Sequence, residues 1–237
     1  CIMQNEIVQM KIIAHIHTDF PQKFGIPRQS GLSELLKARI IFLPPYRSVE
    51  AFRGLEEYSH IWIIWQFSDL NSDAVYGPTV RPPRLGGNKR MGVFATRSPY
   101  RPNPMGLSAV KLERIEYTKA HGPVLHVSGA DLLDGTPIFD IKPYLAYTDS
   151  RPYAVSGFAA EVEDYKLNVE CEPLAEQKII PEYKEALYEV LSQDPRPSYH
   201  NNPDRIYGLS FANMEIKFKV DGDKLYITDV KNKYNTC

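Results

Sequence analysis

Between Ala74 and Leu112 the chain carries no Asp or Glu but seven bases: Arg81, Arg84, Lys89, Arg90, Arg97, Arg101 and Lys111. That stretch is +7 in a chain of formal net charge −1, so the remainder sums to −8. Much of the acid lies later, with nine carboxylates against three lysines from Ala160 to Ser192. Six of the seven bases sit among Pro, Gly and Asn, which build loops rather than solvated helix faces. Five are arginines, whose planar fork grips phosphate or carboxylate better than an ammonium does. Chemistry of this kind suits an anionic ligand, and basic patches are frequent nucleic-acid footprints. The plainer alternative is a basic surface loop balancing an acidic neighbour.

Other reactive constellations are missing from the sequence. His15 and His17 share one strand parity, yet no third His, Cys or paired carboxylate is spaced to complete a metal site. Cys1, Cys171 and Cys237 are odd in number and lack ligand spacing, so neither a disulfide framework nor a metal is expected. No Gly-rich dinucleotide loop, P-loop or nucleophile elbow is present. Leu43-Pro44-Pro45-Tyr46 is similar to the Asp/Asn-Pro-Pro-Tyr/Phe loop of Rossmann-type amino methyltransferases. Leu43, however, cannot accept a hydrogen bond from a target amine, and no Gly-rich loop precedes it. No catalytic residue is assigned. Four segments remain, each placing Arg or Asp beside Pro and Gly: FGIPRQSG (Phe24 to Gly31), RPPRLGGNKR (Arg81 to Arg90), MGVFATRSPYRPNPMGLS (Met91 to Ser108) and DLLDGTPIFDIKPYL (Asp131 to Leu145). These residues position a ligand rather than react with it.

The elements that must hold them are mostly strands. Ile7 to His17, Ala38 to Leu43, Ser59 to Phe67, Met91 to Thr96, Ser108 to Tyr117, Val124 to Ser128 and Pro137 to Lys142 are short apolar runs between Pro/Gly punctuation. Ser59 to Phe67 is too apolar to alternate, which predicts a strand buried on both faces. Ser48 to Tyr58 reads as a helix capped by Ser48. The apolar parity changes between Leu112 and Ile115, predicting a bulge. Pro181 to Gln193 is the best helix, and Met214 to Ile227 alternates around Asp221-Gly222 as a hairpin. The fold class predicted is mainly β, with a β-barrel domain over residues 1–154 and a smaller α+β domain over 155–237. The longest apolar run, Ile61 to Trp65, is five residues, against the ~20 needed to span a bilayer. No secretory signal opens the sequence, so a soluble, cytoplasmic protein is expected.

Taken together, PRQSG, FRGLEEYSHIWII, PTVRPPRLGGNKRMGVFATRSPYRPNPMGLS, DLLDGTPIFDIKPYL and the late DPRPSY (Asp194 to Tyr199) resemble, in order, the TsaA/TrmO-type family of tRNA (adenosine-N6)-methyltransferases. The resemblance implies a β-barrel that binds S-adenosylmethionine outside the Rossmann class and acts as a homodimer. The implied reaction methylates N6 of threonylcarbamoyladenosine at position 37, just 3′ of the anticodon of threonine tRNA. It also implies residue roles. Pro27, Arg28 and Gln29 form a first cofactor loop, Ser68 and Asp69 a second contact, and Arg97 and Leu107 a central one. Asp131, Leu132, Leu133 and Asp134 close the cofactor site. Arg81, Arg84, Lys89, Arg90 and Arg101 meet tRNA phosphate or the threonylcarbamoyl carboxylate, joined by Asp194, Arg196 and Tyr199. Two rival readings stay open: a transferase of the same fold acting on another RNA or a small molecule, and a non-enzymatic RNA- or ligand-binding module.

Overall fold

Alternation of apolar residues along short strands leaves each strand one face to bury, and closing a sheet on itself buries all of those faces at once. The computed structural model describes residues 7–68, 76–82, 89–162, 165–197, 200 and 202–233. Its strands are β1 (Ala14–His17), β2 (Lys37–Phe42), β3 (His60–Gln66), β4 (Thr79–Val80), β5 (Met91–Gly92), β6 (Met105–Thr118), β7 (Gly122–Ser128), β8 (Pro137–Pro143), β9 (Asn168–Cys171), β10 (Tyr207–Phe211), β11 (Met214–Asp221) and β12 (Lys224–Asn232). Six of them close a barrel in the order β1-β2-β7-β6-β3-β8, with every neighbour antiparallel. Ala14, Ile16, Ile40, Ile61, Ile63, Val110, Leu125, Val127, Leu132 and Ile138 fill its interior.

Several local expectations change. Strand β1 begins only at Ala14, not Ile7. Ser48 to Tyr58 is not one α-helix but two 3-10 turns, Val49–Phe52 and Leu55–Glu57. Gly54 between them has φ +83, which a right-handed helix cannot pass through. Strand β3 does alternate: Ile61, Ile63 and Trp65 are buried inside, while His60, Trp62, Ile64 and Gln66 are half-buried outside. Its outer face looked apolar because Trp62 is sheltered there by the Tyr144 ring at 5.4 Å. Trp62 also donates Nε1–H to Asp149 Oδ2 at 2.9 Å, from the short helix α1 (Ala146–Asp149). Met91 to Thr96 adds nothing to the barrel: β5 pairs with β4 as a separate ribbon, and a 3-10 turn follows at Val93–Ala95. The predicted bulge is present, as a register shift between Leu112 and Arg114 where β6 meets β7.

The rest of the chain forms a four-stranded sheet, β10-β11-β12-β9, whose last pair is parallel. Met214, Ile216, Phe218 and Val220 on β11 and Leu225, Ile227 and Val230 on β12 are buried against Ala186, Leu187, Val190 and Leu191 of helix α3 (Lys184–Ser192). The helix α2 (Pro173–Glu176) packs against β12, and Pro181–Tyr183 is a 3-10 lead-in to α3. Phe20 and Leu36, from the connection between β1 and β2, belong to this second core rather than to the barrel's.

One glycine is fixed by packing. Gly106 of β6 pairs with Trp65 of β3, and a Cβ built on Gly106 would overlap the Trp65 ring. Gly106→Ala is therefore expected to destabilise the fold by about 2 kcal/mol through overpacking, read as a lower midpoint in thermal unfolding. A variant as stable as wild type would mean that the indole has room to move.

Candidate active site

Strand β6 brings one polar side chain into an otherwise apolar interior. Ser108, Val110 and Leu112 share the buried parity, and Ser108 is 1% exposed. A buried hydroxyl needs partners. Ser108 Oγ accepts the Trp65 indole N–H at 3.0 Å and donates to Asp131 Oδ1 at 2.6 Å. The chain Trp65–Ser108–Asp131 thus runs from the barrel core to the segment after β7.

Asp131 is a perturbed carboxylate. Burial, the largest influence, raises its pKa from the usual carboxylate value; the Ser108 hydroxyl, its own amide, the Arg97 charge and the Ser30 amide oppose that rise. Two other loops therefore converge on it. Arg97, exposed after the 3-10 turn at Val93–Ala95, donates Nη1–H to Gln29 Oε1. Ser30 lies in the connection between β1 and β2, which is pinned where Gly31 N–H donates to Gly129 O at 2.9 Å. Gln29 and Ser30, Arg97, Ser108 and Asp131 come from four stretches of the chain and meet at one site. Ser108, Trp65 and the Ser30 amide were not anticipated. The signal that could have found Ser108 is its parity, a polar residue on the inward face of an apolar strand.

The remaining expected residues divide. Pro27 is buried in the same loop as Gln29. Leu107, next to Ser108 with the opposite parity, is 55% exposed. Leu132 is a barrel core residue, 1% exposed, and its carbonyl accepts from Thr18 Oγ1 at 3.1 Å. Leu133 O accepts from Thr136 Oγ1 at 2.7 Å, closing the turn. Asp134 faces β1, accepting from Thr18 N–H at 3.0 Å beside His17 Nδ1 at 3.3 Å. Asp131 and Asp134 therefore lie in different surroundings. Ser68 is exposed beyond the end of β3.

Of the bases, Arg81, Lys89 and Arg90 are exposed around the β4–β5 ribbon, and none of them has an ionic partner among the described residues. Arg101 instead holds its own loop. Its Nη1 donates to Thr96 O at 3.1 Å, and its guanidinium lies 6.0 Å from the Phe94 ring centroid. Lys111 is neutralised by Glu34 at 3.2 Å and Glu113 at 3.8 Å. Asp194 and Arg196 pair with each other, Nε to Oδ1 at 2.8 Å and Nη2 to Oδ2 at 2.9 Å. Arg28 Nη2 donates to both of their carbonyls, at 3.2 and 3.4 Å. Asp69, Arg84 and Tyr199, with Gly86 and Gly87, lie outside the described residues. Among the described residues no group of three or more His, Cys, Asp or Glu is arranged to hold a metal ion.

A closed antiparallel barrel that gathers Gln29, Arg97 and Asp131 at one site, with a basic ribbon, is a β-barrel protein outside the Rossmann class. Residues 15–150 match the family described as the tRNA-methyltransferase O N-terminal domain, and residues 164–233 match the TrmO C-terminal domain. The chain belongs to this family. It is 40% identical over 220 residues to the tRNA (adenine(37)-N6)-methyltransferase of Escherichia coli K12, covering 90% of this chain and 93% of that protein. It is 46% identical over 165 residues to the enzyme of the same name from Eikenella corrodens, covering 69% of this chain and 92% of that one. A crystal structure of TrmO from Pseudomonas aeruginosa superposes with a TM-score of 0.75 at 31% identity, covering 96% of this chain and 100% of the other.

Proposed function

We propose that this protein transfers a methyl group from S-adenosylmethionine to N6 of adenosine 37 in tRNA, with the threonylcarbamoylated adenosine of threonine tRNA as acceptor. The observation carrying the reading is the convergence of the Arg97 guanidinium, held by Gln29, and the Asp131 carboxylate, held by Ser108 and within the influence of the Arg97 charge. A guanidinium and a carboxylate near enough for one charge to act on the other can take the α-carboxylate and the α-ammonium of an amino acid, so these residues fit the methionine half of that cofactor. When bound, it supplies a sulfonium methyl open to in-line displacement.

The chain's own part is alignment. Arg97 and Asp131 fix the amino-acid end, and Gln29 holds Arg97 in place. Leu107 and Phe94, 55% and 71% exposed, offer apolar surface for covering by an adenosine or a second subunit. Arg81, Lys89 and Arg90, with Arg84, take tRNA phosphates or the threonylcarbamoyl carboxylate; phosphate contacts supply affinity rather than sequence preference. An anticodon loop is single-stranded, so its base can splay toward the barrel without opening a duplex. Alignment alone is worth several kcal/mol, and the N6 proton becomes acidic as the methyl arrives, so no strong base is assigned. We also propose a homodimer, a cytoplasmic location and a domain division at residues 154/155.

The direct test incubates the protein with labelled S-adenosylmethionine and total tRNA, with and without the threonylcarbamoyl modification, followed by digestion to nucleosides and mass analysis. Methylated threonylcarbamoyladenosine, formed only from modified tRNA, is expected. Cofactor binding without transfer to tRNA would point to another acceptor, and label on unmodified adenosine would remove the threonylcarbamoyl requirement.

A further inference from the structure

We propose that Asp194 and Arg196 are positioning residues for the cofactor loop: through Arg28 they set where Gln29 and Arg97 stand, rather than contacting tRNA. The inference rests on the cofactor reading of Arg97 and Asp131 given above. The two ions are almost sealed from solvent, with side chains 12% and 10% exposed. Arg196 spends Nε and Nη2 on the Asp194 carboxylate, and its Nη1 on His200 O at 3.4 Å. Asp194 Oδ1 also accepts the Arg196 amide at 3.3 Å, and the Tyr165 hydroxyl reaches Oδ2 at 3.4 Å. A phosphate arriving from solvent meets little of either charge.

What the pair does present is backbone. Asp194 follows α3 with φ +50, a left-handed conformation uncommon outside Gly, Asn and Asp. The bidentate carboxylate–guanidinium grip across two residues braces that turn. The carbonyls of 194 and 196 then both accept from Arg28 Nη2.

The loop holding Arg28 is built into the C-terminal core on one side and the barrel on the other. Phe24 stacks on Tyr207 and Phe218 at 6.5 and 6.3 Å, and Ile26 packs on the same cluster. Gly25 has φ +94, and a Cβ there would overlap the Leu209 side chain. Glu189 of α3 accepts from Ser33 Oγ. Gln29, one residue after Arg28, holds Arg97, and Ser30 is at Asp131. Adjacent Cα atoms are ~3.8 Å apart, so residue 28 cannot shift without carrying residue 29. The C-terminal sheet is thereby a scaffold for a site whose ligand-facing groups belong to the barrel and its loops.

The test measures S-adenosylmethionine affinity by calorimetry, and the KM for tRNA at saturating cofactor, on the full chain. The variants are Arg28→Met, Asp194→Asn and the two combined. Each single change is expected to weaken cofactor affinity about tenfold, with the double variant no weaker than the worse single, since both cut one linkage. The KM for tRNA is expected to stay within about twofold. Hydrogen exchange at amides of residues 26–31 is expected to quicken in Asp194→Asn while barrel-strand amides keep their protection, which a global loss of stability would not give. Arg28→Met leaves the buried pair intact and stays informative if Asp194→Asn fails to fold. Unchanged cofactor affinity with a raised KM for tRNA would overturn the proposal, as would additive losses, which would make Arg28 a direct ligand. If wild type binds no S-adenosylmethionine, the cofactor reading itself fails, and the exchange of the loop still decides whether the pair holds it.

Discussion

Arg97→Ala is expected to lower S-adenosylmethionine affinity by about a hundredfold and to reduce kcat/KM by a similar factor. A charge-assisted hydrogen bond contributes roughly 1.5–3 kcal/mol, and a bidentate guanidinium–carboxylate contact stands at the upper end. The side chain is exposed and donates to Gln29, so its removal empties no core position; it takes away one of several influences that offset the burial of Asp131, with the Ser108 hydroxyl still in place, and the fold is expected to survive. Circular dichroism and thermal melting establish that, and calorimetry reads the affinity. Arg97→Lys keeps the charge but loses the fork, and only part of the affinity is expected to return. An alanine variant that binds cofactor as tightly as wild type would remove Arg97 from the site.

Asp131→Asn is expected to weaken the same cofactor by about thirtyfold at neutral pH, since a charge-assisted contact to an ammonium becomes a neutral one. Its pH dependence follows from the raised pKa. The folded chain holds this proton more tightly than the unfolded chain does, so the group contributes stability below its ordinary value of 3.8. That contribution is lost as pH rises through the raised folded value. Above it, ionised Asp131 is a cost to the fold that a bound ammonium offsets. Cofactor affinity should therefore fall as pH drops toward the raised value, with protons released on binding in that window. The acid limb should flatten in Asp131→Asn. An unchanged limb in that variant would assign the titration to another group.

Different parts of this arrangement were legible to different degrees. The hairpin around Gly222, the bulge between Leu112 and Arg114 and the apolar stripe of α3 are local or nearly so, and alternation or helical spacing reveals them without knowledge of partners. The Ser48 to Tyr58 segment misled because helical composition says nothing about Gly54 turning left-handed within it. Strand β3 misled because its outward Trp62 is apolar yet covered by Tyr144 and α1, and a covered outer face cannot be told from a core face by composition. Within the basic stretch, charge and composition do not distinguish the bases from one another: Lys111 is neutralised by Glu34 and Glu113, and Arg101 braces its own loop.

The class of fold, the family through its ordered motifs, and the residue types of the candidate site reside in short-range pattern and composition, and are legible without coordinates. That Gln29, Ser30, Arg97, Ser108 and Asp131 meet, that Asp134 faces His17 instead, and that Asp194 and Arg196 neutralise each other beneath Arg28 follows from the folded chain alone. These pairings join residues separated by up to 168 positions. They depend on barrel closure and on where the connection between β1 and β2 lies against the second core, and a one-dimensional pattern does not encode how two distant loops share space.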